Sequence, residues 1–199
     1  MTNPVNENLK KRRSIYALGK NVTLPKEKIV ETIEEAVRQS PTAFNSQTVR
    51  AVILFGENSD KVWDIVEETL QAVVPAESFA KTKEKIASFR AGFGTILYFT
   101  DENIVHGLEK DFPLYAKNFA NWAEQGLGGA QQAVWTALAA EGIGASLQHY
   151  NPLIDEKITS AFDLPKNWVL RAQMPFGSIE APAGKKEFMP DAERFRVFD

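Results

Sequence analysis

The sequence predicts a mixed helix-and-strand fold in which helices cover a central sheet. Three observations carry that expectation. The runs "VRAVILF", "FGTILYFTD" and "WVLRAQMPFGSI" are rich in β-branched and aromatic residues, and between them lie longer stretches with apolar residues at helical spacing. "FGTILYFTD" is apolar throughout, the pattern of a strand covered on both faces. The 199 residues, 44% hydrophobic and 25% charged, suit one domain, 1–199, with a sizeable core. Helix is dominant, and a sheet covered by helices is the simplest way to bury both kinds of element.

Along the chain, "LKKRRSIYAL" (9–18) opens the fold after a polar tail. "LPKEKIVETIEEAVRQS" (24–40) reads as a helix. Ile29, Ile33 and Ala36–Val37 recur every three to four residues, with acidic residues on the other side. Pro25 suits its first turn, and Pro41 disfavours helical geometry at Ser40 and ends it. A strand follows at 49–57, then a helix at 58–74 capped by Asn58 or Ser59. Residues 76–90 form a weaker helix and 93–101 a second strand, while 101–112 show no clear period. The stretch 113–144 reads as two helices meeting near Gly126–Gly129. The second is alanine-rich, apolar around most of its circumference and therefore central, and Gly142 or Gly144 ends it. "ASLQHY" (145–150) is a third strand, 152–164 a helix and 168–179 a fourth strand. The tail from Glu180 onward is too apolar to dangle. It is expected to lie against a partner subunit, with "RFRVF" (194–198) as a further strand.

Composition narrows the chemistry. With no cysteine, disulfides, thiolate metal sites and cysteine nucleophiles are excluded, and the cytosol is the expected compartment. His106 and His149 are the only two histidines, too few for a histidine-rich metal site in one chain. A net charge of −3 gives no global attraction to nucleic acid or anionic membrane. The N-terminus lacks the apolar stretch of a secretory signal, and no run approaches the ~18–20 apolar residues of a membrane span.

Five stretches offer polar groups that could meet a ligand. "KKRRS" (10–14) could hold a phosphate through forked arginine donors and the Ser14 hydroxyl or a backbone N–H at a helix start; taken alone, it reads better as a solvated basic terminus, because charge runs usually face water. "SPTAFNSQ" (40–47) sets amide and hydroxyl groups around Phe44. Such groups can read the edge of a heterocycle, or simply cap a turn. "GLGGAQ" (126–131) follows a helix rather than a strand, so helix packing or a helix break suits it better than a dinucleotide loop. "LQHYNP" (147–152) puts Gln148, His149 and Tyr150 at a strand end, where ligands of such sheets collect. Lys185–Lys186 form a second cationic pair, or a polar loop.

The order of these pieces says more than any one of them. Arg12-Arg13-Ser14, then "SPTAFNSQ" before a strand, then an alanine-rich helix ending in "GIGASLQHY", then "MPFGSIEAPAGKKEF", together resemble the nitroreductase family of FMN-dependent oxidoreductases. The resemblance runs from about Arg12 to the C-terminus and is strongest to the short bacterial and fungal branch. It implies an α+β fold with a central, mostly antiparallel sheet, a homodimer with FMN at the interface, and a tail reaching the partner. By this resemblance Arg12, Arg13 and Ser14 bind the FMN phosphate and ribityl end, and Lys185 and Lys186 reach the same phosphate. Pro41, Thr42 and Asn45 lie against the flavin from the partner, with Gln47 nearby. Leu147, Gln148 and His149 face its reactive edge, Gln148 and His149 as substrate-side contacts.

Two departures from the family pattern stand near the ring. Tyr16 replaces a residue that is basic in many members, and "LQHYNP" replaces a Pro-x-Glu-Gly-like loop of the larger branches. A dianionic phosphate suits several cations and a pyrimidine edge suits amides. The chemistry would belong to the flavin, which explains the absence of a convincing acid–base pair. The implied activity is ping-pong reduction of a small-molecule oxidant, a nitroaromatic or quinone, with NADH or NADPH as donor. The alternatives are a flavin-binding regulatory or stress-response protein with low turnover, and a dimeric scaffold without flavin.

Overall fold

The computed structural model describes residues 3–199. Its elements are α1 (Pro4–Lys11), β1 (Leu18–Gly19), α2 (Lys26–Arg38), β2 (Val49–Phe55), α3 (Glu57–Gln71), α4 (Ala76–Arg90), β3 (Gly94–Asp101), α5 (Glu102–Asp111), α6 (Ala116–Ala140), β4 (Gly144–Ala145), α7 (Asp155–Ala161), β5 (Trp168–Ile179) and α8 (Asp191–Arg194). Single 3-10 turns stand at Ala43–Asn45 and Pro113–Tyr115. The strands form one sheet in the order β1-β5-β3-β2, with β4 also on β5, and every pairing is antiparallel. The fold is α+β.

Strand β3 explains the layering. Every residue of it is buried, and its side chains alternate between two cores. Ile96 and Tyr98 join Ile29 and Ile33 of α2 and Leu127, Val134 and Leu138 of α6 on one face. Leu97 and Phe99 join Val62, Trp63 and Val66 of α3, Ile86 and Phe89 of α4 and Ile158 of α7 on the other. The sheet is thus covered on both faces, as its apolar sequence requires.

Several boundaries differ from the sequence reading, each for a local reason. The polar tail before residue 9 already starts α1, which runs on to Lys11 and is capped by Asn3, whose side chain accepts the Val5 N–H at 2.9 Å. Helix α3 starts at Glu57 after Gly56 (φ 55°), so neither Asn58 nor Ser59 caps it. The Ser59 hydroxyl is buried instead and bonds to Thr95 Oγ1 at 2.8 Å. Residues 113–144 do not form two helices: α6 runs unbroken through all three of its glycines. Its buried positions, Phe119, Ala123, Leu127, Ala130, Val134 and Leu138, keep one stripe against the fold over 25 residues. That burial outweighs the roughly 1 kcal/mol that each helical glycine costs relative to alanine. Gly142, at φ 75°, supplies the left-handed turn that lets the chain leave α6.

The third strand shrinks to Gly144–Ala145 plus one bridge between Gln148 and Gln173. No strand forms at 194–198; the short α8 ends at Arg194 and the rest of the tail is exposed.

The undetermined stretch 101–112 is α5, and its start is Asp101. This carboxylate is 7% exposed. It accepts the Asn103 N–H at 3.2 Å, the Asn167 side-chain amide at 2.7 Å and an Arg50 guanidinium N–H at 2.9 Å. One residue therefore caps α5, closes the β3–β5 end of the sheet and pairs with a cation on β2. Asp101→Ala should cost about 3 kcal/mol, since it orphans a half-buried arginine along with two amide donors. Urea denaturation checks this.

Candidate functional site

Pairing at the end of β5 brings the two halves of the first candidate site together. Leu18–Gly19 pair with Ser178–Ile179, the Glu180 N–H reaches the Ala17 carbonyl at 2.9 Å, and the Ile15 N–H reaches the Ala145 carbonyl at 2.9 Å. The approach is so close that a Cβ at Gly177 would overlap the Gly19 carbonyl and stand 2.9 Å from the Phe93 backbone nitrogen. Only glycine fits there. Residues 12–17 consequently run beside residues 181–186, with a cleft of about 540 Å³ between them. Arg12, Arg13, Ser14, Tyr16, Lys185 and Lys186 all line it.

The cleft concentrates positive charge without compensation. The Arg12 guanidinium lies 4.4 Å from the centre of the Trp135 ring, and its Nε is buried with no hydrogen-bond partner. Burial first, and then the charge of Arg13, pull its pKa below the usual arginine value. An Arg13 Nη2–H donates to the Gly184 carbonyl at 2.6 Å. Arg50 and Arg171 each sit on a carboxylate, at 2.9 and 3.3 Å. Among the described residues, no carboxylate lies within ion-pair distance of Arg12, Arg13, Lys185 or Lys186. A burden of this kind, with an orphaned donor inside it, fits a multiply charged anion.

One sequence expectation is corrected here. Arg12 is the C-cap of α1, so no helix start offers its N–H groups to the anion.

The second group stands elsewhere. Pro41 to Gln47 make a tight 3-10 turn in which Phe44, Asn45 and Gln47 hold φ of 58°, 49° and 49°. Three non-glycine residues in the left-handed region mark a strained segment, the kind found at functional sites. The Thr42 hydroxyl holds it by accepting the Gln47 N–H at 2.9 Å. Thr42 also packs on α6, where a Cβ at Gly126 would come within 3.0 Å of its methyl group. Phe44 caps an aromatic group with Phe112 (5.0 Å), Phe119 (5.4 Å), Trp122 (6.2 Å) and Tyr115 (6.3 Å). Thr42 meets α6 at Gly126 and Arg12 meets it at Trp135. Nine residues separate those stations, about 13 Å at 1.5 Å per residue. Within one chain the strained segment does not line the cationic cleft.

The third group, Leu147 to His149, hangs on β5. Gln148 and Gln173 exchange backbone hydrogen bonds at 2.7 and 2.9 Å. Gln148 is 7% exposed and its side-chain amide donates to Ser146 Oγ at 3.0 Å, so it faces inward. Leu147 packs partly against the core, and His149 is exposed. Gln173 is fully buried, and its side-chain oxygen accepts the Tyr150 N–H at 2.8 Å, fixing the loop that presents His149. Sequence reasoning missed Gln173, although a lone glutamine inside the apolar run "LRAQMPF" is a visible signal. It also missed Trp135, the platform under Arg12, whose place is set only by the phase of α6.

The family model described as the Nitroreductase family matches residues 9–178. The chain is 40% identical over 189 residues to HBN1 of Saccharomyces cerevisiae, covering 92% of this chain and 93% of that protein. Nitroreductase CinD from Lactococcus lactis, solved in complex with chloramphenicol, is 54% identical, with a TM-score of 0.90 over 98% of this chain and 99% of CinD. A nitroreductase from Desulfitobacterium hafniense with bound FMN shares the fold at a TM-score of 0.73 and 16% identity, over the whole length of both chains.

Gln173→Leu keeps the size of the side chain and removes its acceptor. The Tyr150 N–H then loses its partner, and stability should fall by about 1–3 kcal/mol. Amide hydrogen exchange should quicken at Tyr150 ahead of the sheet as a whole.

Proposed function

The chain belongs to the nitroreductase family, and on that premise we propose that it is a homodimeric FMN-dependent oxidoreductase. NADH or NADPH would serve as hydride donor, and a nitroaromatic or quinone as acceptor, in ping-pong order. The observation that carries this reading is the uncompensated cationic cleft of Arg12, Arg13, Lys185 and Lys186. Its charge and its orphaned Arg12 Nε suit the phosphate of FMN. FMN, once bound, supplies the redox chemistry. The protein's part is to hold and orient it.

In this reading Arg12, Lys185 and Lys186 hold the phosphate, Ser14 turns its hydroxyl to the ribityl chain and Tyr16 stands beside the ring. Pro41, Thr42, Asn45 and Gln47 reach the flavin from the other subunit. The spacing along α6 supports this, because one chain keeps the strained turn away from its own cleft. The tail supports a dimer as well: Phe188, Phe195 and Phe198 are 71, 58 and 91% exposed, and apolar surface of that kind belongs against a partner. Leu147 and His149 border the acceptor's side, with Gln148 behind them. CinD's complexes with chloramphenicol and with 4-nitrophenol favour a nitroaromatic acceptor. Among the described residues no helix is long and apolar enough to cross a membrane. A cytoplasmic enzyme acting on small molecules, without nucleic acid, completes the reading.

The purified protein should show the visible absorption of bound flavin, bleached by a nicotinamide donor and restored by a nitroaromatic or quinone. Protein that takes up no FMN overturns the reading. Bound FMN that neither donor reduces would make the chain a flavin-binding regulatory protein instead. Arg12→Ala should weaken FMN binding by about 1.5–3 kcal/mol, the range for hydrogen bonds to charged groups. His149→Ala should change acceptor preference and leave FMN retention intact. Equal FMN loss in both variants refutes that division of labour.

A further inference from the structure

Arg12 and Arg13 are neighbours of the same charge and line the same cleft, yet they are engaged differently. Arg12 lies on Trp135 with its Nε unpartnered. Arg13 is already committed: its Nη2–H donates to the Gly184 carbonyl at 2.6 Å, across 171 positions of sequence. Gly184 lies in the stretch 181–186, which forms one wall of the cleft and carries Lys185 and Lys186.

That wall has little else to hold it. Backbone pairing of the C-terminal segment with the body stops at Glu180, whose N–H meets Ala17. Beyond it the backbone bonds are local, such as Phe195 N–H to the Asp191 carbonyl at 2.9 Å. Among the described residues, Arg13 to Gly184 is the sole hydrogen bond joining 181–199 to the rest of the molecule. Arg13 also lines a second cleft of about 250 Å³, shared with Pro182 and Ala183 on its other side. It stands as the partition against which the wall rests.

We propose that Arg13 is a positioning residue. By pinning Gly184 it holds Lys185 and Lys186 beside Arg12 before any anion arrives. The lysines then meet the anion already ordered, and the entropy of fixing the segment is not charged against binding. This assignment rests on the reading of the cleft as an FMN phosphate site, but the latch itself exists without the cofactor.

The test uses intact protein and a lysine-specific endoproteinase, following release of residues 187–199 by mass spectrometry. In flavin-free protein Arg13→Ala should release this peptide about tenfold faster than the parent, as expected for loss of one charge-assisted hydrogen bond. Arg12→Ala should release it at the parental rate. If Arg13→Ala does not fold by circular dichroism, Arg13→Met keeps the packing without the donors and takes its place. FMN titration supplies the functional readout. Arg13→Ala should raise the Kd for FMN about tenfold, yet change it less than about twofold when Lys185 and Lys186 are both already alanine. Unchanged proteolysis in the Arg13 variant overturns the proposal. So does a full tenfold effect in the background lacking both lysines, which would make Arg13 a direct ligand of the phosphate. Should the protein bind no FMN at all, the cofactor reading falls, while the proteolysis arm still decides whether Arg13 is a latch.

Discussion

Strand β5 is the constraint on which the rest depends. Its twelve residues pair with β3 along most of their length and with β4 and β1 at their far end. The pairing with β3 builds the core. The end of the strand builds the site, because it carries the C-terminal segment past the N-terminal one at residues 177–180. Gly177 admits that approach, and a side chain there would push Gly19 away and open the cleft. Sheet and cleft therefore share one physical cause: a strand long enough to serve two sets of partners.

The electrostatics of the cleft follow from this crossing. The chain as a whole is acidic, with a net charge of −3, so nothing in its overall balance announces an anion site. The crossing gathers cations from the two ends of the chain and leaves carboxylates out. The other partly buried arginines are neutralised locally: Arg50 by Asp101, Arg171 by Glu102, and Arg90 by Glu67. Arg12 and Arg13 repel one another, and the desolvated Arg12 lacks a partner for its Nε. The cleft is bounded by the packing of Arg12 on Trp135 and by the bond from Arg13 to Gly184. A phosphate would relieve both costs at once.

Helix α6 sets the scale of the proposed site. It presents Trp135 to Arg12 near its C-terminal end and Gly126 to Thr42 near its middle. It also carries Phe119 and Trp122, part of the aromatic group under the strained Phe44. Because α6 is one continuous helix rather than two hinged at the glycines, these stations keep their spacing along it. The glycine run that looked like a break is a smooth part of the helix surface: Gly126 makes room for Thr42, while Gly128 and Gly129 face open space. Because α6 separates two groups that are proposed to share one ligand, a second copy of the chain is part of the proposal.

The strands β2, β3 and β5 and the helices α2 and α4 were legible from the sequence because burial imposes its own period on residues that cannot face water. The basic and amide-bearing stretches were legible as chemistry, and their order as a family. The start of α5 was missed, although Asp101 in "TDEN" is an ordinary cap, because its side chain also answers to Arg50 and Asn167, far away in sequence. The continuity of α6 could not be read locally, since glycine propensity argues for a break and only burial along the whole stripe opposes it. The same holds for the division between Arg12 and Arg13. Sequence alone determined that two arginines, a serine and two distant lysines were present and that the chain could form a covered sheet. Only the tertiary structure decided which arginine lies free on Trp135 and which is bound to Gly184, because that choice depends on contacts made across 171 positions, and local sequence carries no energy over such a distance until the strand between them has folded.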